Sequence, residues 1–313
     1  MLLDIEHEGQ IGRGEASMVP YMGESFETAN DFLRKLDLSW VKCPIDFEEV
    51  LSYLDRVASG NPAIKAAVDI ALHDLEGKLT RQPCSIRFNS LQANMPLSSV
   101  TIGIDKPEVI IRKVKEAEFA KVLKVKLGSE DDKRIIKVIR SVTDKPLYVD
   151  ANQGWGDRIM ASEMVFWLEE QGVVFVEQPM KKDDLKGNAW VTERSPIPIL
   201  ADEAVQRFED IERVKDAYHG INVKLMKSAG MYEAHRMILR ARELNLQVLI
   251  GCMSETSIAT LAGISLAPLC DWADLDGPFL TSNNPFAMPC FEDGKWILPA
   301  GPGLGLQELL VDY

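Results

Sequence analysis

The chain has 313 residues, 46% hydrophobic and 27% charged, with a formal net charge of −13. That is ample for a large core and fits one barrel-sized domain plus a smaller one. The acidic balance argues against nucleic acid as a partner, and no apolar run approaches a membrane span.

The N-terminus, Met1-Leu-Leu-Asp-Ile-Glu-His-Glu, turns acidic at once and lacks a secretory pattern. The five cysteines (43, 84, 252, 270, 290) are odd in number and scattered, without a Cys-x-x-Cys. Reduced thiols in a cytoplasmic protein are expected. The four histidines show no metal spacing.

Asp4 to Ser17 reads as a hairpin turning near Glu8-Gly9-Gln10, and Pro20-Tyr21-Met22-Gly23-Glu24 as a loop. Ser25 to Leu36 and Asp46 to Ala58 read as helices, each opened by a Ser or Asp cap. Asn61 to Leu79 predicts a longer helix with an apolar stripe at Ile64, Ala67, Val68, Ala71, Leu72 and Leu75. Residues 1–95 therefore form an α+β unit of their own.

Beyond it a strand-then-helix pattern sets in. Val122-Leu-Lys-Val-Lys-Leu-Gly128 reads as a strand, and alternation puts Lys124 and Lys126 on one face. The following strands are Pro146-Leu-Tyr-Val-Asp150, Val173-Val-Phe-Val-Glu177, Ile199-Leu-Ala-Asp202, Ile221-Asn-Val-Lys224, Val248-Leu-Ile-Gly-Cys252 and Trp272-Ala-Asp-Leu-Asp276. Counted from Lys126, their ends are 24, 27, 25, 22, 28 and 24 residues apart. With Thr101-Ile-Gly-Ile104 ahead of them they make eight βα units, which predicts a (β/α)8 TIM-type barrel over residues 96–282. The Pro- and Gly-rich tail, 283–313, holds a short strand at Gly294-Lys-Trp-Ile-Leu298 and is expected to return to the first unit, completing an α+β capping domain.

Charged residues fall at the strand ends, where such barrels carry their chemistry. Asp150, Glu177 and Asp202 end the third, fourth and fifth strands. One such acid alone is best read as solvated. Three converging at one mouth repel unless a cation neutralises them. All-oxygen ligands favour a hard divalent ion, with Mg2+ as the first expectation. Lys126 ends strand two and Lys224 strand six, opposite each other in a ring of eight. Two opposed bases suit proton removal on one face of a carbon and return on the other, with a lysine pKa lowered by positive neighbours and the metal. A metal-chelated carboxylate would hold the resulting enediolate. Lys124 is placed to lower the pKa of Lys126 and to touch a carboxylate oxygen. Lys227 reads as an ordinary helix-start lysine. Asp274 and Asp276 share a face at the end of strand eight. They are either two wet acids before a turn or, with the metal already served, partners for a substrate ammonium.

Together these residues resemble the enolase superfamily, in its muconate-lactonising subgroup. The matching pieces are Lys124-Val-Lys126, Asp150-Ala-Asn152, Glu177-Gln-Pro179, Asp202-Glu203 and Asn222-Val-Lys224-Leu-Met-Lys227. A Lys base working with Mg2+ on an enediolate is the known chemistry of that superfamily. Asp274-Leu-Asp276 is similar to the mark of its dipeptide epimerases, where it binds the substrate α-ammonium. Gly14-Glu-Ala-Ser17 with Pro20-Tyr-Met-Gly-Glu24 resembles their capping loop, and Ala66 to Lys78 the long helix before the barrel. The resemblance also places Thr101 and Cys252 at substrate-contacting positions; as bare residues they read as core. Family members usually carry two further strands and a mobile loop before this hairpin. The capping unit is therefore expected to lack its first strands.

The resemblance implies a Mg2+-dependent dipeptide epimerase, with L-Ala-D/L-Glu as the favoured substrate type. N-acylamino acid racemase, o-succinylbenzoate synthase and muconate cycloisomerase share the scaffold but need no ammonium site. A non-catalytic ligand-binding barrel would keep the acids without needing two opposed lysines. The partners expected are a small dipeptide and, for assembly, a homo-oligomer.

Overall fold

The structure, a computed structural model, describes residues 1–309. The chain opens with an antiparallel hairpin, β1 (Leu2–His7) and β2 (Gln10–Glu15). Its two-residue turn, Glu8-Gly9, takes positive φ at both positions (49° and 72°). That is the turn geometry whose twist matches paired strands. Helices α1 (Phe26–Leu33) and α2 (Phe47–Val57) follow, capped by the side chains of Ser25 and Asp46 as their sequences predict.

Helix α3 (Pro62–Thr80) departs from the predicted stripe. It is buried on every side from Ala63 to Gly77, including Lys65, Asp69, His73, Asp74 and Glu76. The reason is its place between the hairpin, α2 and the barrel. Burying charge is tolerable only with partners, and each charged group joins α3 to another part of the chain. Lys65 bonds Asp55 at 2.7 Å, and Asp74 accepts from the backbone of Arg13 and of Leu304, both at 2.9 Å. Glu76 accepts from Ile45 N at 2.7 Å. The one-turn α4 (Cys84–Arg87) leads toward the barrel.

Eight parallel strands follow in sequence order: β3 (Val100–Ile102), β4 (Leu123–Lys126), β5 (Leu147–Asp150), β6 (Val173–Glu177), β7 (Ile199–Ala201), β8 (Gly220–Lys224), β9 (Gln247–Gly251) and β10 (Trp272–Asp274). Ser99 N donates to Ala273 O at 3.0 Å, so β10 returns to the segment entering β3 and closes the ring. The intervening helices are α5 (Pro107–Glu116), α6 (Asp132–Arg140), α7 (Arg158–Glu170), α8 (Leu185–Arg194), α9 (Asp210–Val214), α10 (Met231–Glu243) and α11 (Ser257–Leu266), with the short α12 (Gly277–Leu280) after β10.

Period-two alternation builds the interior in layers. Val122, Tyr148, Phe175, Leu200 and Leu249 form one apolar layer, with Trp272 packed against it. The Tyr148 and Phe175 rings stack at 4.3 Å, and Phe175 meets Trp272 at 4.8 Å. Two residues further along the same strands stand Lys124, Asp150, Glu177, Asp202 and Asp274. The apolar layer plugs the barrel, and the charged layer floors its mouth.

The tail forms a small hairpin, β11 (Phe291–Glu292) and β12 (Lys295–Trp296). It then runs back to α3 and α4: Gly303 N bonds Gln82 O at 2.9 Å and Cys84 N bonds Gly303 O at 2.8 Å.

The hairpin lies on α3 because β2 carries glycines on the face that meets the helix. A Cβ at Gly14 would stand 1.8 Å from Ala67 O, and one at Gly12 2.1 Å from Ala71 O. Backbone atoms cannot yield as a side-chain tip would. Gly14→Ala is therefore expected to lower stability by about 3 kcal/mol, the upper end for overpacking. The measurement is the urea unfolding midpoint; an unchanged midpoint would contradict this packing.

Candidate active site

The mouth of the barrel opens into a cavity of about 630 Å³ between the strand ends and the loop after β2. Lys124, Lys126, Asp202, Lys224, Thr101, Cys252, Asp274 and Asp276 all line it, and Asp150 and Glu177 lie beneath. Asp150, Glu177 and Asp202 each offer an oxygen within 4.8 Å of the others, and all three are buried. Adjacent strands in register cause this: Asp150 pairs with Glu177 directly, and Asp202 follows the end of β7.

Lysines interleave with the acids. Lys124 Nζ stands 2.8 Å from Asp274, 2.8 Å from Glu177 and 3.4 Å from Asp150. Lys126 bonds Asp150 at 2.6 Å, and Lys224 bonds Asp202 at 2.6 Å. Strand order places β4 and β8 opposite each other across the ring.

Lys227 is a correction to the sequence reading. It is buried, and its ammonium bonds Asp202 Oδ1 at 2.5 Å, Asp202 O at 2.8 Å and Asn222 O at 3.0 Å. The tight turn after β8 brings it back over the strand end, which its position beyond the strand concealed. Nor do the protein's own groups lower the Lys224 amine. Burial disfavours the Lys224 charge, but Asp202 and Glu177 outweigh it and hold the ammonium above the ordinary lysine range. Lys124 is raised for the same reason, with Asp274 as its strongest partner.

The acids respond according to their partners. Burial, then Asp150 beside it, pushes Glu177 up to about 8. Burial would raise Asp202 too, but Lys224 and Lys227 hold it well below the usual carboxylate range. Asn222 donates to Glu177 Oε1 at 2.6 Å, while the buried Glu177 Oε2 meets the Lys124 ammonium at 2.8 Å. Glu203, half-buried beside the mouth and raised by burial and Asp202, leaves Oε2 without a hydrogen bond; Asn152 reaches its other oxygen at 3.3 Å. Six carboxylates (150, 177, 202, 203, 274, 276) face four ammonium groups (124, 126, 224, 227). The deficit of two positive charges and the three converging carboxylate oxygens fit one hard divalent cation held by Asp150, Glu177 and Asp202.

Asp274 and Asp276 share the mouth but differ in engagement. Asp274 accepts from Lys124 at 2.8 Å and from Ser99 Oγ at 2.7 Å. Asp276 accepts from Thr101 N at 2.7 Å, with Cys252 Sγ at 3.8 Å from its other oxygen. Burial and the neighbouring Asp274 push Asp276 up to about 6. It is the acid of the pair with capacity for a further cation.

Tyr21 was legible only as part of a loop. It lines the mouth from the capping side, its hydroxyl 3.7 Å from Met253 Sδ. Ser17 Oγ bonds Ser254 O at 2.8 Å, fixing that loop over the barrel.

Metal binding to the folded state raises its stability by mass action, about 2.7 kcal/mol at a hundredfold excess over Kd. The melting temperature of EDTA-stripped protein is expected to rise as Mg2+ is added. Glu177→Gln, which removes one ligand charge with little change of shape, is expected to lose most of that rise. Differential scanning fluorimetry reads both; a wild-type melt indifferent to Mg2+ would count against the site.

Comparison with known proteins agrees with this geometry. Residues 1–86 match the mandelate racemase / muconate lactonizing enzyme N-terminal domain, and residues 110–308 the enolase C-terminal domain-like family. The chain is 47% identical over 308 residues to the L-Ala-D/L-Glu epimerase of Bacteroides thetaiotaomicron, spanning 98% of this chain and 80% of that one. The crystal structure of a dipeptide epimerase from Enterococcus faecalis V583 superposes with a TM-score of 0.90 at 30% identity, covering 98% of this chain and 93% of that one. The same enzyme complexed with Mg and the dipeptide L-Leu-L-Tyr superposes at 0.89, with 29% identity and coverage of 98% and 91%. The chain belongs to the enolase superfamily, with both the N-terminal and the barrel domains of its mandelate racemase / muconate lactonizing branch.

Proposed function

We propose that this protein is a Mg2+-dependent dipeptide epimerase of the L-Ala-D/L-Glu type, working by two-base proton transfer. The observation that carries this reading is the pair of lysines on opposed strands, each bonded to a different acid of one buried carboxylate triad. The likeness to the Bacteroides enzyme supports the substrate type.

A divalent cation held by Asp150, Glu177 and Asp202 would supply positive charge at the substrate carboxylate, where charge builds up as the α-proton leaves. The remaining work falls to the chain's own groups. Lys126 and Lys224 approach the α-carbon from opposite faces, one taking its proton and the other returning one. Asp202 holds the Lys224 amine protonated, and a cation sharing that acid would release it. Lys124 holds the floor of the site together and faces the carboxylate end of the substrate. Asp276, with Asp274 behind it, receives the free amine of the dipeptide, and Thr101 N fixes the orientation of Asp276. Thr101 and Cys252 line the same wall.

All five cysteines are unpaired, which fits a reducing cytoplasmic setting. An L-Ala-D/L-Glu epimerase there would connect cell-wall peptide fragments to ordinary amino-acid metabolism.

Incubation with L-Ala-L-Glu and Mg2+ in deuterated water is expected to yield L-Ala-D-Glu carrying solvent deuterium at the α-carbon, read by chiral chromatography and mass spectrometry. Lys224→Ala should stop epimerisation while exchange from one epimer survives. Wild-type turnover without deuterium uptake, or a fully active Lys224→Ala, would rule out the two-base reading.

The raised Asp276 also predicts a pH dependence. Above about 6 it is ionised and attracts the substrate ammonium; as pH falls through about 6 it is neutralised and kcat/KM should fall. Asp276→Asn is expected to lower kcat/KM roughly ten- to a hundredfold, for the loss of one charge-assisted hydrogen bond, and to flatten that acid limb. If N-acetylated and free dipeptides react equally well in the wild type, the site does not read an amine, and N-acylamino acid racemase becomes the better assignment.

A further inference from the structure

Asp132 lies outside the charged layer, and no role in the proposed reaction has yet fallen to it. It opens α6 and is 1% exposed, which for a carboxylate requires a full set of partners. The partners come from two active-site loops. Asp132 accepts the backbone N–H of Gly128 at 3.0 Å and of Ser129 at 2.8 Å, together with Ser129 Oγ at 3.1 Å, all from the loop leaving β4 just after Lys126. It accepts the indole N–H of Trp155 at 2.8 Å, from the loop leaving β5 after Asp150. The two loops touch backbone to backbone at this point. A Cβ on Gly128 would stand 2.3 Å from Ala151 O, and one on Gly154 2.3 Å from Gly128 Cα. Gly128 also takes φ +102°, which a side chain would resist.

We propose that Asp132 is a positioning residue that fixes the Lys126 amine relative to Asp150, and so governs proton transfer on one face of the substrate only. The inference rests on the two-base reading above. The asymmetry follows from what else holds each group. Asp150 is pinned without Asp132: it is fully buried, its carboxylate accepts Asn152 N at 2.9 Å, and Ala151 N bonds Glu177 O at 3.0 Å. Lys224 stands across the ring, on β8, and touches nothing that Asp132 touches. The Lys126 side chain is 32% exposed and its ammonium has a single bonded partner, Asp150. Its aim therefore depends on the backbone just beyond it, and that backbone hangs on Asp132. Proton transfer is steeply sensitive to such aim, with a displacement of about 1 Å costing on the order of a hundredfold.

The test uses the full chain with Mg2+ and two probes, L-Ala-L-Glu and L-Ala-D-Glu, each followed separately for α-proton exchange in deuterated water. Asp132→Asn turns an N–H donor toward the loop amides and is expected to slow exchange from one epimer about tenfold or more. Exchange from the other epimer should change by less than about twofold, and Mg2+ affinity should be retained. Trp155→Phe removes only the tie between the loops and should show the same asymmetry in smaller degree, so the proposal stays testable even if Asp132→Asn does not fold. Equal losses on both epimers, or a fall in Mg2+ affinity that accounts for the loss, would assign Asp132 to general scaffolding and overturn the proposal. No loss on either epimer would overturn it as well. If wild-type protein exchanges neither epimer, the epimerase reading fails, and this inference with it; an active wild type with symmetric losses in the variants sinks the positioning role alone.

Discussion

The structure is organised around an excess of buried negative charge at one end of the barrel. Three adjacent strands deliver Asp150, Glu177 and Asp202 to one point, and such acids destabilise a fold unless their charge is met. Lys124 answers from below, while Lys224 and Lys227 clamp Asp202 from the far side. The match remains incomplete. Glu177 keeps a raised pKa even with Lys124 against it, so a place for a divalent ion is built into the electrostatics. The network that could hold a divalent ion is also the one that raises the Lys224 amine.

The charged layer can be packed this densely because the layer beneath is apolar and aromatic. Tyr148, Phe175 and Trp272 stop water from reaching the acids from the other end. Low polarity strengthens every interaction above it. That raises the cost of an imperfect match and makes a bound cation more effective.

The capping elements are joined to the barrel by carboxylates at helix starts. Glu15 on β2 accepts Thr256 N, Thr256 Oγ1 and Ala259 N at the opening of α11. Asp69 on α3 accepts Met231 N at the opening of α10, just after the Lys224–Lys227 turn. Free N–H groups at a helix start favour an anion. Here the anions belong to the other unit, so the cap is registered against the strand ends rather than merely packed on them. This fixes Ser17 and Tyr21 over the mouth and gives the site its roof.

The sequence by itself determined the strand-and-helix period, the barrel, and the strand-end placement of Lys126, Asp150, Glu177, Asp202 and Lys224, because period-two alternation and a near-constant spacing are local properties of the chain. The capped starts of α1 and α2 were legible for the same reason. Three features belong to the tertiary structure alone. Lys227 looked like an ordinary helix-start lysine until the turn after β8 folded it onto Asp202. Asp274 and Asp276 looked like an equal pair until Lys124 and Ser99 engaged the first and left the second with spare capacity. Asp132 carried no signal in its own segment, since its partners lie in two loops that meet only when the barrel closes. Hydrogen bonds between residues far apart in sequence leave no periodicity behind, and the direction of a buried lysine's pKa depends on which acids finally surround it.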